Sequence, residues 1–557
     1  MIIGIDMGGT HIDGAAIENG VLIASVKHQV DHSDYFASIW RCLEELLSQV
    51  DKDTVERIHL STTISTNAII EGRLADVALI LQTGPGLQWH YERMGEHIIY
   101  LSGSVDHRGI LVRDLDMAEL DDARKQLLES PVDALAVVSK FSTRNPEFER
   151  RIKKHFEDDY NEITMGHTLS GKLNFPRRVR TAYLNAAVSR TFKDFAESMR
   201  EALRRSSIDA PVFVLKADGG TVDLDGAMSK PVETILSGPA ASFMGMRALL
   251  DDERSDRVLI DVGGTTTDLF FLVDGVPVFE PLGIEIDGRK TLVRALFSQS
   301  IGIGGDSHVR FEEGALKIGP RRYGLPIAFG GDSMTPTDAL VYLGKLEGSY
   351  RDKCLQAVER MAAEHGLEGV ALAEMIVRRM CEEIRQAIER VLDKLNASPV
   401  YTIKELLRDR TIRPQAVEII GGPAASLSGY LGETLRLPVY CPIHHEIANA
   451  IGAALAKPTL EINLIADTER EKMSIPERGL YIPIDRTFNL REAEQFALSQ
   501  VWEAGKALGL EEDRLDAEIV ESSSFNMVKG YGGRVDRNIR VKAQIKPGLL
   551  EKLRKSD

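Results

Sequence analysis

Cysteine is scarce in this chain: four residues in 557, at positions Cys42, Cys354, Cys381 and Cys441. They lie far apart and form no C-x-x-C pair, which excludes a disulfide framework, a zinc ribbon and an iron–sulfur cluster. Each reads instead as a small buried hydrophobe. Long apolar runs are missing too: no stretch reaches the roughly 18 residues of a membrane span, and Met1 leads into a strand without the basic and apolar regions of a signal peptide. A cytoplasmic protein with no membrane partner is expected. Positive charge is also in deficit, at a net −16. A general nucleic-acid surface needs clustered Lys and Arg, so nucleic acid is not an expected partner. The one basic cluster, Arg177, Arg178 and Arg180, is short and reads as local. Finally, no G-x-x-x-x-G-K-[ST] segment ahead of a helix is present, which excludes a Walker-type phosphate loop.

What the chain does have is a different glycine loop, twice. Asp6-Met7-Gly8-Gly9-Thr10 and Asp261-Val262-Gly263-Gly264-Thr265 each follow a short β-branched run, Ile2, Ile3, Gly4, Ile5 in one case and Val258, Leu259, Ile260 in the other. A carboxylate at the end of a buried strand, followed by two glycines that let backbone approach a ligand, suits a metal-bound polyphosphate. Thr10, Thr265 and Thr266 add hydroxyl and N–H donors for phosphate oxygens. Apolar residues resume directly after each loop (Ala15 to Ile17, and Leu269 to Val273), so each loop reads as a hairpin tip. A single Gly-Gly pair is also an ordinary hairpin turn. Its repetition points to two related half-molecules that each contribute a loop to one cleft.

The remaining periodicity is that of an α/β protein of several domains. A helix is expected over Tyr35 to Gln49, then a strand running through Ser61 and Thr62 into a second helix. Val77 to Gln82 and Ala134 to Val138 read as buried strands with a helix over Met117 to Leu128 between them. A long helix spans Arg180 to Leu203. The strand Val212 to Leu215 leads into Lys216-Ala217-Asp218-Gly219-Gly220, and Ser237-Gly238-Pro239 opens a further helix. Tyr323 to Pro336, rich in Gly and Pro, reads as irregular and surface-exposed. Residues 352–396 read as charged helix with one apolar face. Ala416 to Ile420 is a strand ending in Gly421-Gly422-Pro423, and His444 to Leu455 is a helix of small residues. The organisation expected is an N-terminal lobe over 1–175, a linking part over 176–256, a second lobe over 257–460 and a small α/β appendage over 461–557.

Asp218, in its strand-to-glycine turn, is a candidate general base or amide-orienting group, and equally an Asx turn. Thr62, Thr63 and Asn67 are positioned either to bracket a transferable phosphoryl group or to cap a helix. His11 sits beside the first loop, where it is positioned either to reach a γ-phosphate or to serve structurally, the commoner role of a lone hairpin histidine. His444 and His445 lack a third metal ligand, and His107 and His167 lack any partner visible in sequence.

An early D-x-G-G-T, a second near the middle and a later strand-Gly-Gly-Pro resemble the acetate kinase, sugar kinase, Hsp70 and actin superfamily. Within it, Ser61 to Gly72, Arg180 to Ala186, Asp218 to Gly220, Ser237 to Ala241, Ile301 to Ser307 and Thr335 to Ala339 are similar to the A-type subunit of ATP-dependent hydantoinases and 5-oxoprolinases. The resemblance implies two actin-like, ribonuclease-H-like lobes around a nucleotide cleft. It implies ATP and Mg²⁺, with Asp6 and Asp261 on the metal and Gly8, Gly9, Thr10, Gly263, Gly264, Thr265, Thr266, Gly304 and Gly305 about the phosphates. Gly421, Gly422 and Pro423 would pack on adenosine, while Asp218 and Thr63 would serve the reacting end. The implied activity is ATP-driven cleavage of a cyclic amide, or phosphorylation of a related small carbonyl compound. A separate B-type subunit and a homo- or hetero-oligomer are the implied assemblies. A small-molecule kinase and a nucleotide-driven switch remain open alternatives. The chain departs from the family pattern at His11 and Ile12, which replace Phe and Thr, at Asp306, which replaces a third glycine, and in its shorter C-terminal part.

Overall fold

A computed structural model describes residues 1–31, 33–85, 94–250, 255–280, 282–397, 411–511, 515–529 and 534–554. Its first sheet runs in the order Thr221–Asp223, Val212–Leu215, Arg57–Thr62, Ile2–Met7, His11–Glu18, Val21–Gln29. Strand Ile2–Met7 is antiparallel to His11–Glu18 and parallel to Arg57–Thr62. The second main sheet repeats this plan. Arg257–Val262 is antiparallel to Thr267–Val273 and parallel to Ala416–Ile420. Each repeated motif is therefore the tip of a hairpin whose first strand is buried at a sheet centre, where β-branched side chains pack on both faces.

Helices Ser237–Leu249 and Ala448–Leu455 lie between these two sheets. The first buries Ala240, Phe243 and Met244 with Leu259, Phe270 and Ile420 of the second sheet. The other buries Ala450, Ile451 and Ala454 with Ala15 and Ile17 of the first. Small residues set how close they come. A Cβ on Gly4 would lie 2.2 Å from the Ala450 carbonyl oxygen, one on Gly245 2.0 Å from that of Ala448, and one on Gly452 2.2 Å from that of Ala241. Nothing larger than glycine fits at these three crossings.

A four-stranded parallel sheet, in the order Ile163–Met165, Ala134–Ser139, Val77–Gln82, His97–Tyr100, stands beside the first sheet in sequence. Alternate residues of Val77–Gln82 serve two cores: Val77, Leu79 and Leu81 meet Val179, Ala182 and Ala186 of helix Phe175–Arg205, while Ala78 and Ile80 meet Leu120, Leu127, Phe148 and Ile152. Coverage on both faces explains the unbroken apolar run. The C-terminal part is an antiparallel five-stranded sheet, Leu480–Pro483, Lys472–Ile475, Glu461–Asp467, Arg534–Ile545, Ala517–Lys529, packed on helix Leu490–Ala507.

Most elements fall where the sequence places them. Helix Tyr35–Gln49 has the expected bounds, with Asp34 Oδ1 accepting the Ala37 N–H at 2.9 Å as its N-cap and Ile39, Cys42, Leu43 and Leu46 buried. The long helix starts earlier than expected, at Phe175, because Asn174 caps it and Pro176 suits its first turn. Residues 352–396 divide into Arg351–Glu364 and Gly369–Ala397 around Gly366 at φ +68. His444, at φ +66, delays the helix expected from it: His445–Ile447 is a 3₁₀ turn before Ala448–Leu455.

One expectation is overturned. Tyr323 to Pro336 is not a surface loop throughout, since Ile327, Ala328, Met334 and Thr335 are buried. The cause is Asp338, whose carboxylate accepts the Ala328 N–H at 2.7 Å and the Thr335 N–H at 2.9 Å and pulls the segment inward. The cysteines match their reading in part: Cys42, Cys354 and Cys381 are buried, whereas Cys441 is half-exposed. Arg177 and Arg178 are local, as expected. Arg177 donates to the Leu282 carbonyl at 2.7 Å, and Arg178 is fully buried, donating to that of Lys172 at 2.8 Å. Among the described residues no helix is long and apolar enough to cross a membrane.

Candidate active site

The two hairpin tips are closed by the same bond. Gly8 N–H donates to the His11 carbonyl at 3.0 Å, and Gly263 N–H to that of Thr266 at 2.9 Å. Each hairpin also sets two carboxylates side by side across its strands, Asp6 opposite Asp13 and Asp261 opposite Asp268. Asp13 and Asp268 carry no site role in the sequence reading. Their signal is the identical spacing D-x-G-G-T-x-x-D in both copies.

The helices between the sheets bring further polar groups to these carboxylates. Ser242 Oγ donates to Asp261 Oδ2 at 2.6 Å, and Asn449 Nδ2 reaches the same oxygen at 3.5 Å. Asn449 also lies near enough to Asp6 to lower its pKa. Burial and the nearby charges of Asp13 and Asp261, only partly offset by Ser61 and Asn449, push Asp6 up to about 7. Burial, then the Asp261 charge, push Asp268 up to about 6. Asp13 and Asp261 are raised as well, each chiefly by burial, although Lys27 Nζ lies 2.7 Å from Asp13 Oδ1. Asp6 is 3% exposed and its Oδ1 has no hydrogen-bond partner among the described residues. Four carboxylates raised together around an orphaned oxygen form a site that a divalent cation would stabilise. His/Cys/Asp/Glu groups of three or more with direct metal-ligand geometry are absent among the described residues.

Two glycine turns converge on the second loop. Gly305 N–H donates to the Gly263 carbonyl at 2.9 Å and Asp306 N–H to that of Gly264 at 2.7 Å. A Cβ on Gly304 would stand 2.6 Å from the Gly264 carbonyl carbon, and one on Gly421, at φ +104, 2.2 Å from the Val262 carbonyl oxygen and 3.0 Å from Asp261 Oδ1. Pro423 lies beside Gly305 and begins helix Ala424–Leu435. The faces of Gly9 and Gly422 are open, with nothing within 4 Å of an added Cβ. Thr265 and Thr266 are exposed and Thr10 half-exposed, so their donors are available. Asp306 is held by Arg322 Nη2 at 2.9 Å and Thr337 Oγ1 at 3.3 Å. Burial, Lys27 and that same Arg322 lower the pKa of His11, so a cation of the second lobe acts electrostatically on the first loop.

Thr63 directly follows the strand parallel to Ile2–Met7, whose last residue Thr62 pairs with Met7, and its hydroxyl accepts Asn67 Nδ2 at 3.1 Å. It caps helix Ile64–Ile70 by position but makes no side-chain capping bond. Beside it, Ser237 Oγ donates to the Thr62 carbonyl at 3.0 Å. Asp218 has other neighbours. Its Oδ1 accepts the Gly220 N–H at 3.0 Å, Thr459 Oγ1 donates to it, and Lys216 Nζ is 3.6 Å away. Burial raises its pKa, but Lys216, Arg294 and these hydrogen bonds outweigh burial and hold it below the usual carboxylate range. His167 does have a partner that the sequence does not disclose: its Nδ1 lies 2.6 Å from the buried Glu149 carboxylate.

A model of the hydantoinase/oxoprolinase family matches residues 178–462, and a model of the same family's N-terminal region matches residues 2–159. The chain belongs to the hydantoinase/oxoprolinase family. Among curated relatives, the acetophenone carboxylase gamma subunit of Aromatoleum aromaticum is 25% identical over 62% of this chain and 54% of its own length. The 5-oxoprolinase 1 of Arabidopsis thaliana is 24% identical over 81% and 41%, and the caprolactamase subunit alpha of Pseudomonas jessenii 22% over 76% and 65%. This hydantoinase/oxoprolinase chain thus spans about half the length of the curated relatives it matches. Among solved structures, ATP-dependent caprolactamase from Pseudomonas jessenii aligns with TM-score 0.69 at 19% identity, over 97% of this chain and 86% of that one. Nucleotide-free acetone carboxylase aligns with TM-score 0.68 at 15% identity, over 99% and 88%. The fold class is accordingly the expected one: two related actin-like lobes with a small C-terminal α/β appendage.

Proposed function

We propose that this chain is the ATP-consuming part of a hydantoinase- or 5-oxoprolinase-type enzyme that activates a cyclic amide, or a related small carbonyl compound, by phosphorylating its oxygen. The observation that carries this reading is the pairing of two carboxylate-bearing glycine hairpins, whose Asp6 and Asp261 interact electrostatically, with two further glycine turns packed on the second. An amide carbonyl is a poor electrophile until its oxygen becomes a leaving group, and phosphoryl transfer needs alignment and charge neutralisation more than a reactive side chain.

Asp6 and Asp261 fit Mg²⁺ and its waters, and the bound ion would neutralise charge on the polyphosphate. Gly8, Gly9, Thr10, Gly263, Gly264, Thr265 and Thr266 offer N–H and hydroxyl donors to phosphate oxygens. Gly304 and Gly305 hold the second loop in place. Gly421, Gly422 and Pro423 offer an open backbone face to adenosine. Thr63 stands where the first sheet meets the reacting end. Asp218, ionised and already hydrogen-bonded, serves better to orient an amide N–H than to accept a proton. Two relatives carry subunit names, acetophenone carboxylase gamma and caprolactamase alpha, which supports a separate B-type partner here.

The test is phosphate release from Mg-ATP by the purified chain, alone and with a B-type partner, against hydantoins, 5-oxoproline and larger lactams, with the organic product followed in parallel. Lactam-stimulated ATP consumption with ring-opened product supports the proposal and names the substrate class. A stoichiometric, stable phosphate ester would replace it with a small-molecule kinase. ATP binding with no response to any lactam under either condition would replace it with a nucleotide switch.

A further inference from the structure

Away from the phosphate loops, a cavity of about 320 Å³ separates the parallel sheet from the C-terminal sheet. Its walls come from residues 108–150 on one side and residues 465–483, with Asn538, on the other. None of the residues assigned to nucleotide lines it.

Two of its lining groups are orphaned. Arg144 Nε and the Tyr481 hydroxyl are buried without a hydrogen-bond partner among the described residues, and the Arg144 guanidinium forms no ion pair with any of them. Leaving such donors dry is costly, on the order of 1–3 kcal/mol for each group and more for a charged one. Among the acids of the wall, Asp467 attracts Arg144 electrostatically but forms no ion pair with it. Asp467 is engaged by Arg108 Nη2 at 2.7 Å, and Glu471 by Arg486 Nε at 2.6 Å. Glu147 is exposed at the rim. Further positive charge stands close by, since the Arg150 guanidinium lies 4.8 Å over the Tyr481 ring. Burial, and then the like charge of Arg540, outweigh the attraction of Asp467 and push Arg144 down to about 10. The rest of the wall includes Ile465, Met473, Ile482 and Pro483.

We propose that this cavity is a binding site for a small organic carboxylate, whose carboxyl group takes the Arg144 guanidinium and the Tyr481 hydroxyl while its apolar body lies on Met473 and Ile482. A guanidinium presents a planar fork of donors that matches a carboxylate in two bonds. The volume is at the small end of ligand sites, which selects a compact body. A ligand bound there touches both sheets and ties the C-terminal part to the parallel sheet.

Calorimetric titration of the full chain with benzoate tests this, with its neutral analogue benzamide and inorganic phosphate as comparison probes. Benzoate should bind, raise the thermal midpoint and outcompete both comparison probes by about tenfold or more in affinity, as expected for one charge-assisted pair. Arg144→Ala should abolish that preference over benzamide, and Tyr481→Phe should weaken benzoate severalfold with no loss of thermal midpoint in the free chain. Arg144→Lys should recover only part of the affinity, because a point charge cannot form the fork. Absence of benzoate binding, equal binding of benzamide, or benzoate binding indifferent to Tyr481→Phe would each overturn the assignment. Should Arg144→Ala fail to fold, Tyr481→Phe and the benzamide comparison still decide it.

Discussion

The two loops share a motif, a hairpin and a carboxylate pair, yet they stand in different surroundings. The second is braced. Two bonds from Gly305 and Asp306 fix its carbonyls, and Gly421 closes on the backbone beneath it. The first has an open tip at Gly9 and a histidine facing the other lobe's Arg322. The same hairpin therefore stands in two different packings. The braced copy suits the part of a nucleotide that is gripped, and the open copy suits the end that reacts and must be approached.

If that division holds, removing either carboxylate ends turnover but only one removes the grip. Asp261→Ala is expected to reduce Mg-ATP hydrolysis by about 10²-fold or more, the scale of losing one preorganised charge-stabilising group, and to weaken ADP binding along with it. Asp6→Ala is expected to reduce hydrolysis comparably while ADP affinity stays within about threefold, a change worth under roughly 1 kcal/mol. Both variants should remain folded, because each removes a carboxylate whose burial is unfavourable. Steady-state phosphate release and ADP calorimetry on the two variants check this. Equal losses of ADP affinity would erase the distinction between the loops.

The bracing itself is tested by adding a methyl group. Gly304→Ala forces a Cβ to 2.6 Å from the Gly264 carbonyl carbon, and such overpacking costs about 1–3 kcal/mol. Gly9→Ala meets nothing within 4 Å, so stability should stay within about 0.5 kcal/mol, while ATP affinity falls because the loop can no longer approach phosphate closely. Denaturant midpoints set beside ATP affinities separate the two effects.

Much of this was legible in the sequence because glycine and aspartate at a strand end leave few structural options. The repeat, the hairpin reading and the strand-Gly-Gly-Pro were each local patterns, and the structure gathers three of the glycine turns at one place. Asn449 and Ser242 were not legible. They sit in helices of small residues whose sequence specifies close packing, and only the crossing at Gly245 and Gly452 turns them toward Asp6 and Asp261. The buried Glu149 and His167 pair was hidden for the same reason: contacts between distant segments leave no mark on periodicity. Tyr323 to Pro336 misled because Gly and Pro mark irregular backbone, which Asp338 then draws into the core.

The raised carboxylates make the comparison a matter of pH. Asp6 moves from its ordinary 3.8 up to about 7 and Asp268 up to about 6, so the folded chain binds protons that the unfolded chain has released. Their favourable contribution is fully present below about pH 4 and is lost as pH rises through 6 and 7. Carboxylates that accept hydrogen bonds or ion pairs, such as Glu149, whose pKa is lowered as His167 outweighs burial, give the opposite slope at acid pH. Stability of the metal-free chain should therefore fall between pH 5 and pH 8, by a few kcal/mol at most. Asp6→Asn should flatten that fall more than Asp268→Asn does. Millimolar Mg²⁺ with ADP should cancel it in the parent chain. Thermal midpoints across pH, with and without Mg-ADP, check all three, and a midpoint that rises from pH 5 to pH 8 in the metal-free parent would contradict the shared-carboxylate site.

The smallest expected effect crosses between the lobes. Arg322 is anchored to Asp306 beside the second loop and lowers the pKa of His11 on the first, after burial and Lys27. Arg322→Ala should therefore raise the His11 pKa. It should also weaken ATP more than ADP, by up to about tenfold, the scale of one charge-assisted contact, because its charge, anchored at Asp306 beside the second loop, also acts on the first. Asp306→Gly, which restores the family's glycine, should free Arg322 and change ATP affinity by less than Arg322→Ala does. Histidine titration by nuclear magnetic resonance and paired ATP and ADP affinities measure both effects. Equal losses for the two nucleotides would place Arg322 with the gripping lobe rather than between the loops.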